Sequence, residues 1–311
     1  MAYPTRRSVA DLLNEARSAL PQELVSASRF AQLQALAHFL PPSILVGLEC
    51  RLGAADEAID LWICPGLTPG DLQPTAAWLR ERGWREFAPL ARSLRRGEVP
   101  WDCALGAWTT EFDLAGWDKR TAPPRPSSFV TFGTAKERHP IVPALERLWR
   151  GERGRNMPRA QREQLQRLLC QCPQGELAGW GFLYPRPGQP GRLMLRIKEL
   201  PDLAALLGDK LEIALKLLDG LTWQVVIGTP LYYRDERRQS LEAYVRGEAN
   251  WQELTRRMVA QGYCSPNKAE ALMQLTTQTS NTQGTTVTLN HVKLALPAQD
   301  PAQVKAYPSI F

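Results

Sequence analysis

Gly179-Trp-Gly-Phe-Leu-Tyr184 and Arg192-Leu-Met-Leu-Arg-Ile-Lys198 are two strand-like runs joined by a Pro- and Gly-rich turn over 185–191. Two helical stretches, 202–207 and 211–218, follow them directly. Paired strands with no helix between them, succeeded by paired helices, read as an antiparallel unit, because a doubly wound parallel sheet needs a helix after every strand. The same succession recurs on both sides. Upstream, strands at 44–52 and 58–64 precede helices at 72–82 and 87–95, and strands at 107–114 and 128–133 precede helices at 142–150 and 159–170. Downstream, strands at 223–228 and 231–235 precede helices at 251–261 and 267–275, and strands at 287–296 and 304–310 close the chain. An opening helix at 9–20, with a further helical stretch at 27–39, stands before the first strand.

Repetition of this kind fixes an architecture before any single residue is interpreted. The expected fold is α+β: a closed antiparallel ten-stranded β-barrel surrounded by helices, as a single domain over 1–311 with strand pairs near 44–64, 107–133, 179–198, 223–235 and 287–310. The competing arrangement is two separate sheet-and-helix halves. Strand patterning fits the barrel, whose outward faces must be apolar against helices while the inward faces line a cavity. Ile59, Leu61 and Ile63 share one face and leave Asp60 and Trp62 on the other. Leu193, Leu195 and Ile197 likewise oppose Met194, Arg196 and Lys198. Two neighbouring cations aimed into a lumen repel each other and require an anionic partner.

The chain has 311 residues, 44% of them hydrophobic, enough for a sizeable core. Its net charge of +6, from 38 basic against 32 acidic side chains, permits an anionic substrate without requiring one. Nucleic-acid binding is not expected, because the densest basic stretch, 147–167, is diluted by Glu, Gln and Gly rather than interleaved with stacking aromatics. Arg6 and Arg7 are followed by no apolar signal-like run, and no apolar stretch approaches membrane-spanning length, so a cytoplasmic protein without membrane contact is expected. Of the six cysteines only Cys170 and Cys172 lie close in sequence, and three histidines, His38, His139 and His291, cannot build a multi-histidine centre; no protein-held metal is expected.

The order of elements resembles the αββα (ABBA) barrel of soluble aromatic prenyltransferases over nearly the whole chain. The segment Met194-Leu-Arg-Ile-Lys-Glu-Leu-Pro201 is similar to the Arg-x-Lys strand of the cyanobactin peptide prenyltransferases. Val46-Gly-Leu-Glu-Cys-Arg51 resembles that group's first strand, whose glutamate sits beside the acceptor nucleophile, and the resemblance makes Glu49 the candidate base. Asn290-His-Val-Lys293 and Lys305-Ala-Tyr307 resemble the closing strands, which supply a cation and an aromatic shield. Like these enzymes, the chain has no Asp-Asp-x-x-Asp motif. It departs from them at 58–64, where Asp60 and Trp62 stand in place of a basic residue, and at 223–228, which has neither Lys nor Tyr.

The resemblance implies transfer of an allylic group from dimethylallyl or geranyl diphosphate to a nucleophilic side chain of a peptide or to a small aromatic acceptor, with no tightly bound cofactor and Mg2+ arriving with the diphosphate. Such chemistry needs cations for the departing diphosphate, aromatic faces around a carbocation-like allyl unit, and a base for the acceptor proton. The cation candidates are Arg196, Lys198 and Lys293, followed by Arg51, Arg234 and Lys305; the alternative is that they are rim charges or ion pairs. Glu49 is either paired with Arg51 or a base of raised pKa. Trp62, Trp180, Tyr232, Tyr233 and Tyr307 are shield candidates that otherwise fill the core. His291 shares a strand face with Lys293 and assists the site or serves as a structural hydrogen-bonding residue. The alternative function is a barrel of this type that binds or scaffolds without diphosphate chemistry.

Overall fold

A computed structural model describes residues 5–53, 59–66, 77–78, 81, 105–132, 141–153, 156–182, 191–230, 239–276, 279–280, 285–296 and 304–311. Among them, β1 (Leu45–Arg51), β2 (Asp60–Gly66), β3 (Leu105–Phe112), β4 (Ser127–Phe132), β5 (Glu176–Phe182), β6 (Arg192–Ile197), β7 (Trp223–Pro230) and β8 (Gln239–Val245) pair in chain order. A two-residue strand β9 (Thr279–Ser280) lies along β10 (Thr286–Leu296), which pairs with β8 and with β11 (Val304–Ile310). Pairing of β11 with β1, from Val46↔Ile310 to Arg51↔Lys305, closes an antiparallel barrel of ten strands. Two separate halves are thereby excluded, since the wall is continuous.

Helices α1 (Val9–Ala16) and α2 (Ala27–Ala37) precede β1; α3 (Ile141–Arg153) and α4 (Arg159–Gln171) join β4 to β5. The pair α5 (Leu200–Leu207) and α6 (Leu211–Leu218) joins β6 to β7, and α7 (Glu248–Ala260) and α8 (Pro266–Thr276) join β8 to the last strands. In an antiparallel wall all four pairs meet the barrel at one end, where β1 begins and β11 finishes. The strand-to-strand turns lie at the other. Ser8 and Ser26 start the first two helices by accepting a backbone N–H, from Asp11 and Arg29 respectively, each at 3.4 Å.

Period-two alternation puts Val46, Leu48 and Cys50 of β1, Leu61 and Ile63 of β2 and Leu193, Leu195 and Ile197 of β6 into one buried core with the inner faces of the helices. Trp180 belongs to this outer core: it is fully buried, meets Trp149 of α3 edge-on at 6.2 Å, and pairs in register with the outward-facing Leu193. The expectation that it shields a lumen ligand is corrected, because its strand parity turns it toward the helices.

The eighth strand also differs from expectation. It runs over Gln239–Val245 rather than 231–235, which lies outside the described residues, and Leu241, Ala243 and Val245 form its outward face. Glu242 and Ala243 are poor strand formers, but pairing on both sides overrides weak propensity. The helices expected at 72–82 and 87–95 lie largely outside the described residues. No helix among the described residues is long and apolar enough to cross a membrane.

Candidate functional site

The inward faces enclose a cavity of about 390 Å³, opening beside Leu45 and the half-exposed Phe311 at the helix-connected end. Trp62, Phe129, Tyr244 and Tyr307 give it aromatic walls, and Glu111, Glu242, His291 and Lys293 give it polar groups. Two glycines make room for the rings. A Cβ at Gly47, the register partner of Trp62, would overlap the indole, and a Cβ at Gly181 would sit 2.6 Å from the Phe129 ring. Phe129, Ala178, Met194 and Val226 form a small apolar patch inside the barrel, with Tyr244 packed against it. An aromatic and aliphatic chamber with few polar groups is the usual form of a small-molecule site.

Glu49 is 1% exposed and lies behind the cavity wall. One of its oxygens accepts from the Lys305 ammonium and the other from the Tyr307 hydroxyl, which itself accepts from Lys293 at 3.0 Å. Lys293 stands 3.9 Å from the same carboxylate. Burial pushes the Glu49 carboxyl up, but Lys305 and Lys293 outweigh it and hold the group well below the usual carboxylate range. Asp60, the register partner of Glu49, is pushed in the opposite direction by burial and then by the Glu49 charge, with Lys305 opposing. It accepts the Leu114 N–H at 2.9 Å and faces Arg51 at 3.6 Å and Lys305 at 3.7 Å.

Both sequence alternatives for Glu49 therefore need correction. Its partner is Lys305, with Arg51 paired to Asp60 instead, and its pKa is lowered. A carboxylate so stabilised is a weak base, and it reaches the cavity through the Tyr307 hydroxyl.

His291 and Lys293 do share a face, and both line the cavity. The imidazole is clasped between Tyr244 and Tyr307, with ring centroids 4.6 Å and 4.1 Å away. Neither ring nitrogen has a hydrogen-bond partner among the described residues, and Nε2 is 3.9 Å from Glu242 Oε2. Burial pushes the imidazole down to about 4, against the pull of Glu242, so it is neutral at pH 7. The Tyr244 hydroxyl donates to Glu242 at 3.3 Å, and burial, followed by the Glu242 charge, raises that phenol well above its usual range.

Arg196 and Lys198 are drawn together by Glu176, at 3.3 Å and 2.8 Å, so the repulsion expected between them is already compensated. Lys198 is half-exposed, at the helix-connected end. Arg234, Tyr232 and Tyr233 lie outside the described residues. Sequence reasoning passed over Glu111 and Glu242, the two carboxylates that face the cavity directly. Glu111 stands opposite Trp62 in register, and Glu242 alternates with the outward residues of β8, so strand parity was the available signal. Among the described residues no three His, Cys, Asp or Glu side chains are grouped to hold a metal ion.

No protein-family model matches the chain, and no curated protein matches it.

Proposed function

We propose that the protein is a prenyltransferase, moving an allylic group from dimethylallyl or geranyl diphosphate to a nucleophilic acceptor, a peptide side chain or small aromatic, held in the barrel. The observation that carries this reading is the aromatic-walled chamber inside a closed ten-stranded antiparallel barrel, with Lys293 on its wall. In the reaction the C1–O bond to diphosphate breaks with its electron pair leaving on oxygen, a bond forms from C1 to the acceptor, and the acceptor proton passes to a carboxylate. Trp62, Phe129 and Tyr307 supply π-faces to the developing allylic charge. Lys293, and Arg196 with Lys198 at the open end, supply positive charge to the leaving group, which Mg2+ carried on the diphosphate would supplement. Glu111 and Glu242 are better placed than Glu49 to receive the proton, since both reach the cavity.

A second reading, a barrel that binds ligands without diphosphate chemistry, is favoured by a specific observation. Arg196, Lys198, Lys293 and Lys305 each already have a carboxylate within 4.0 Å. Incubation with dimethylallyl and geranyl diphosphate, Mg2+ and a panel of aromatic and peptide acceptors, followed by mass spectrometry, tests the first reading. An acceptor heavier by one prenyl unit is the expected result. If no acceptor gains mass and prenyl thiodiphosphates leave the melting temperature unchanged, the binding reading replaces it.

A further inference from the structure

His291 combines three features that seldom coincide without a ligand. It is 6% exposed, it lines the cavity, and neither of its nitrogens is hydrogen-bonded within the described residues. A buried polar group left in that state costs the fold free energy that a bound partner returns. Tyr244 and Tyr307 cover both faces of the ring, so a ligand reaches it at its edge.

That edge faces Glu242. The separation of 3.9 Å between Nε2 and Oε2 is too long for a hydrogen bond and well suited to one bridging oxygen. An oxygen at about 2.8 Å from each atom subtends an angle of about 90° between them, within the range an sp³ oxygen accepts. A carboxylate accepts only, whereas a neutral imidazole presents one N–H and one lone pair. A hydroxyl, which has a single hydrogen, satisfies both by donating it to Glu242 and accepting from the Nε2–H tautomer of His291. An anion cannot donate and is repelled by Glu242. An ammonium is opposed by Lys293, whose Nζ lies 3.8 Å from the other oxygen of the same carboxylate.

We propose that His291 and Glu242 form a docking point for a neutral hydroxyl group, an alcohol or phenol, whose apolar remainder lies against Phe129 and Met194. An anionic group is thereby excluded from the point between Nε2 and Oε2, while Lys293 beside it stays free to face the diphosphate, and His291 acts as a positioning residue that selects for a hydroxyl. The docking claim stands on the cavity alone. That the docked hydroxyl is the acceptor of the transferred group rests on the prenyltransferase reading.

The test is calorimetric titration of the full chain at pH 7 with 2-naphthol, 2-methylnaphthalene and 2-naphthoate, which share a ring system and differ in the group offered to His291 and Glu242. Naphthol should bind roughly tenfold more tightly than methylnaphthalene, the worth of about one net hydrogen bond, and naphthoate should bind most weakly. His291→Phe keeps the ring stack and removes the nitrogens, so it should erase the advantage of naphthol. His291→Gln, with a donor and an acceptor, should restore part of it. Equal binding of naphthol and methylnaphthalene, as expected if water satisfies the imidazole, or preferred binding of naphthoate would overturn the proposal. Should His291→Phe fail to fold, His291→Gln and the three-ligand comparison on the unaltered protein still decide. Hydroxyl selectivity without prenyl transfer removes the transferase reading and leaves the docking point; transfer without selectivity does the reverse.

Discussion

Replacing Glu49 by Gln removes the charge on which Lys305, Tyr307 and Lys293 converge while leaving the shape almost unchanged. Breaking a buried ion pair by deleting one partner costs about 3–5 kcal/mol, because the remaining charge is stranded away from water. Asp60, 3.7 Å from Lys305, moderates this by ionising once the Glu49 charge is gone, which places the expected loss near the lower bound, about 3 kcal/mol. At about 2 °C per kcal/mol for a chain of this size, the midpoint should fall by about 6 °C. Lys305→Met alone should cost a similar amount, and the double variant should recover most of the loss, leaving about 1 kcal/mol. Urea denaturation of the four proteins gives the cycle directly. If Glu49→Gln lies within about 0.5 kcal/mol of the parent and the double variant is simply additive, the network holds nothing together. A drop in prenyl turnover of about 10²-fold or more at unchanged stability would then return Glu49 to the role of base.

Three further outcomes follow from the same geometry. Asp60, with its carboxyl pushed up to about 8, should contribute stability that is complete below its unfolded value of about 3.9 and is lost as pH rises through about 8. Asp60→Asn keeps an acceptor for the Leu114 N–H and should therefore gain on the parent between pH 5 and pH 8.5 in urea titrations; a gap that moves in the other direction would mean that Asp60 is ionised against Arg51 and Lys305. Gly47→Ala should cost about 1–3 kcal/mol and displace the Trp62 indole into the cavity, read as a lowered melting temperature with weakened naphthol binding; an unchanged protein would show that the indole moves aside freely. Arg196→Ala combined with Lys198→Ala should shift stability by no more than about 1 kcal/mol, since the Glu176 they hold is about a third exposed, and global unfolding would refute that reading.

Much of the fold was readable because strand parity and helix pairing are local properties. Ile59, Leu61 and Ile63, and Leu193, Leu195 and Ile197, form unbroken aliphatic faces, and the Asp60 and Arg196 opposite them declare which side faces the helices. Where strand propensity was weak, the reading failed. Glu242 in the middle of β8 masked a strand, and its carboxylate was lost from the candidate site with it. Trp180 shows a different limit: beside Trp, the glycines of β5 give no apolar rhythm, and only the pairing of Trp180 with Leu193 fixes its side. The partner of Glu49 was beyond local reading altogether, because Lys305 lies 256 residues away and reaches it only through the β1–β11 register.

That register carries a kinetic consequence. Pairing of β1 with β11 joins the first and last strands of the wall, so it is the seam with the greatest loop to close, and high-separation contacts of this kind form late and slowly. Glu49 meets Lys305 and Tyr307 across that same seam. A slip of one residue would turn Lys305 and Tyr307 out into the apolar helix layer and bring Val304 and Ala306 inside, stranding three polar groups at once. The buried charge cluster thus acts as a proofreading lock on closure: near-miss barrels gain nothing from zipping shut, and the chain is free to reopen until the correct alignment is reached.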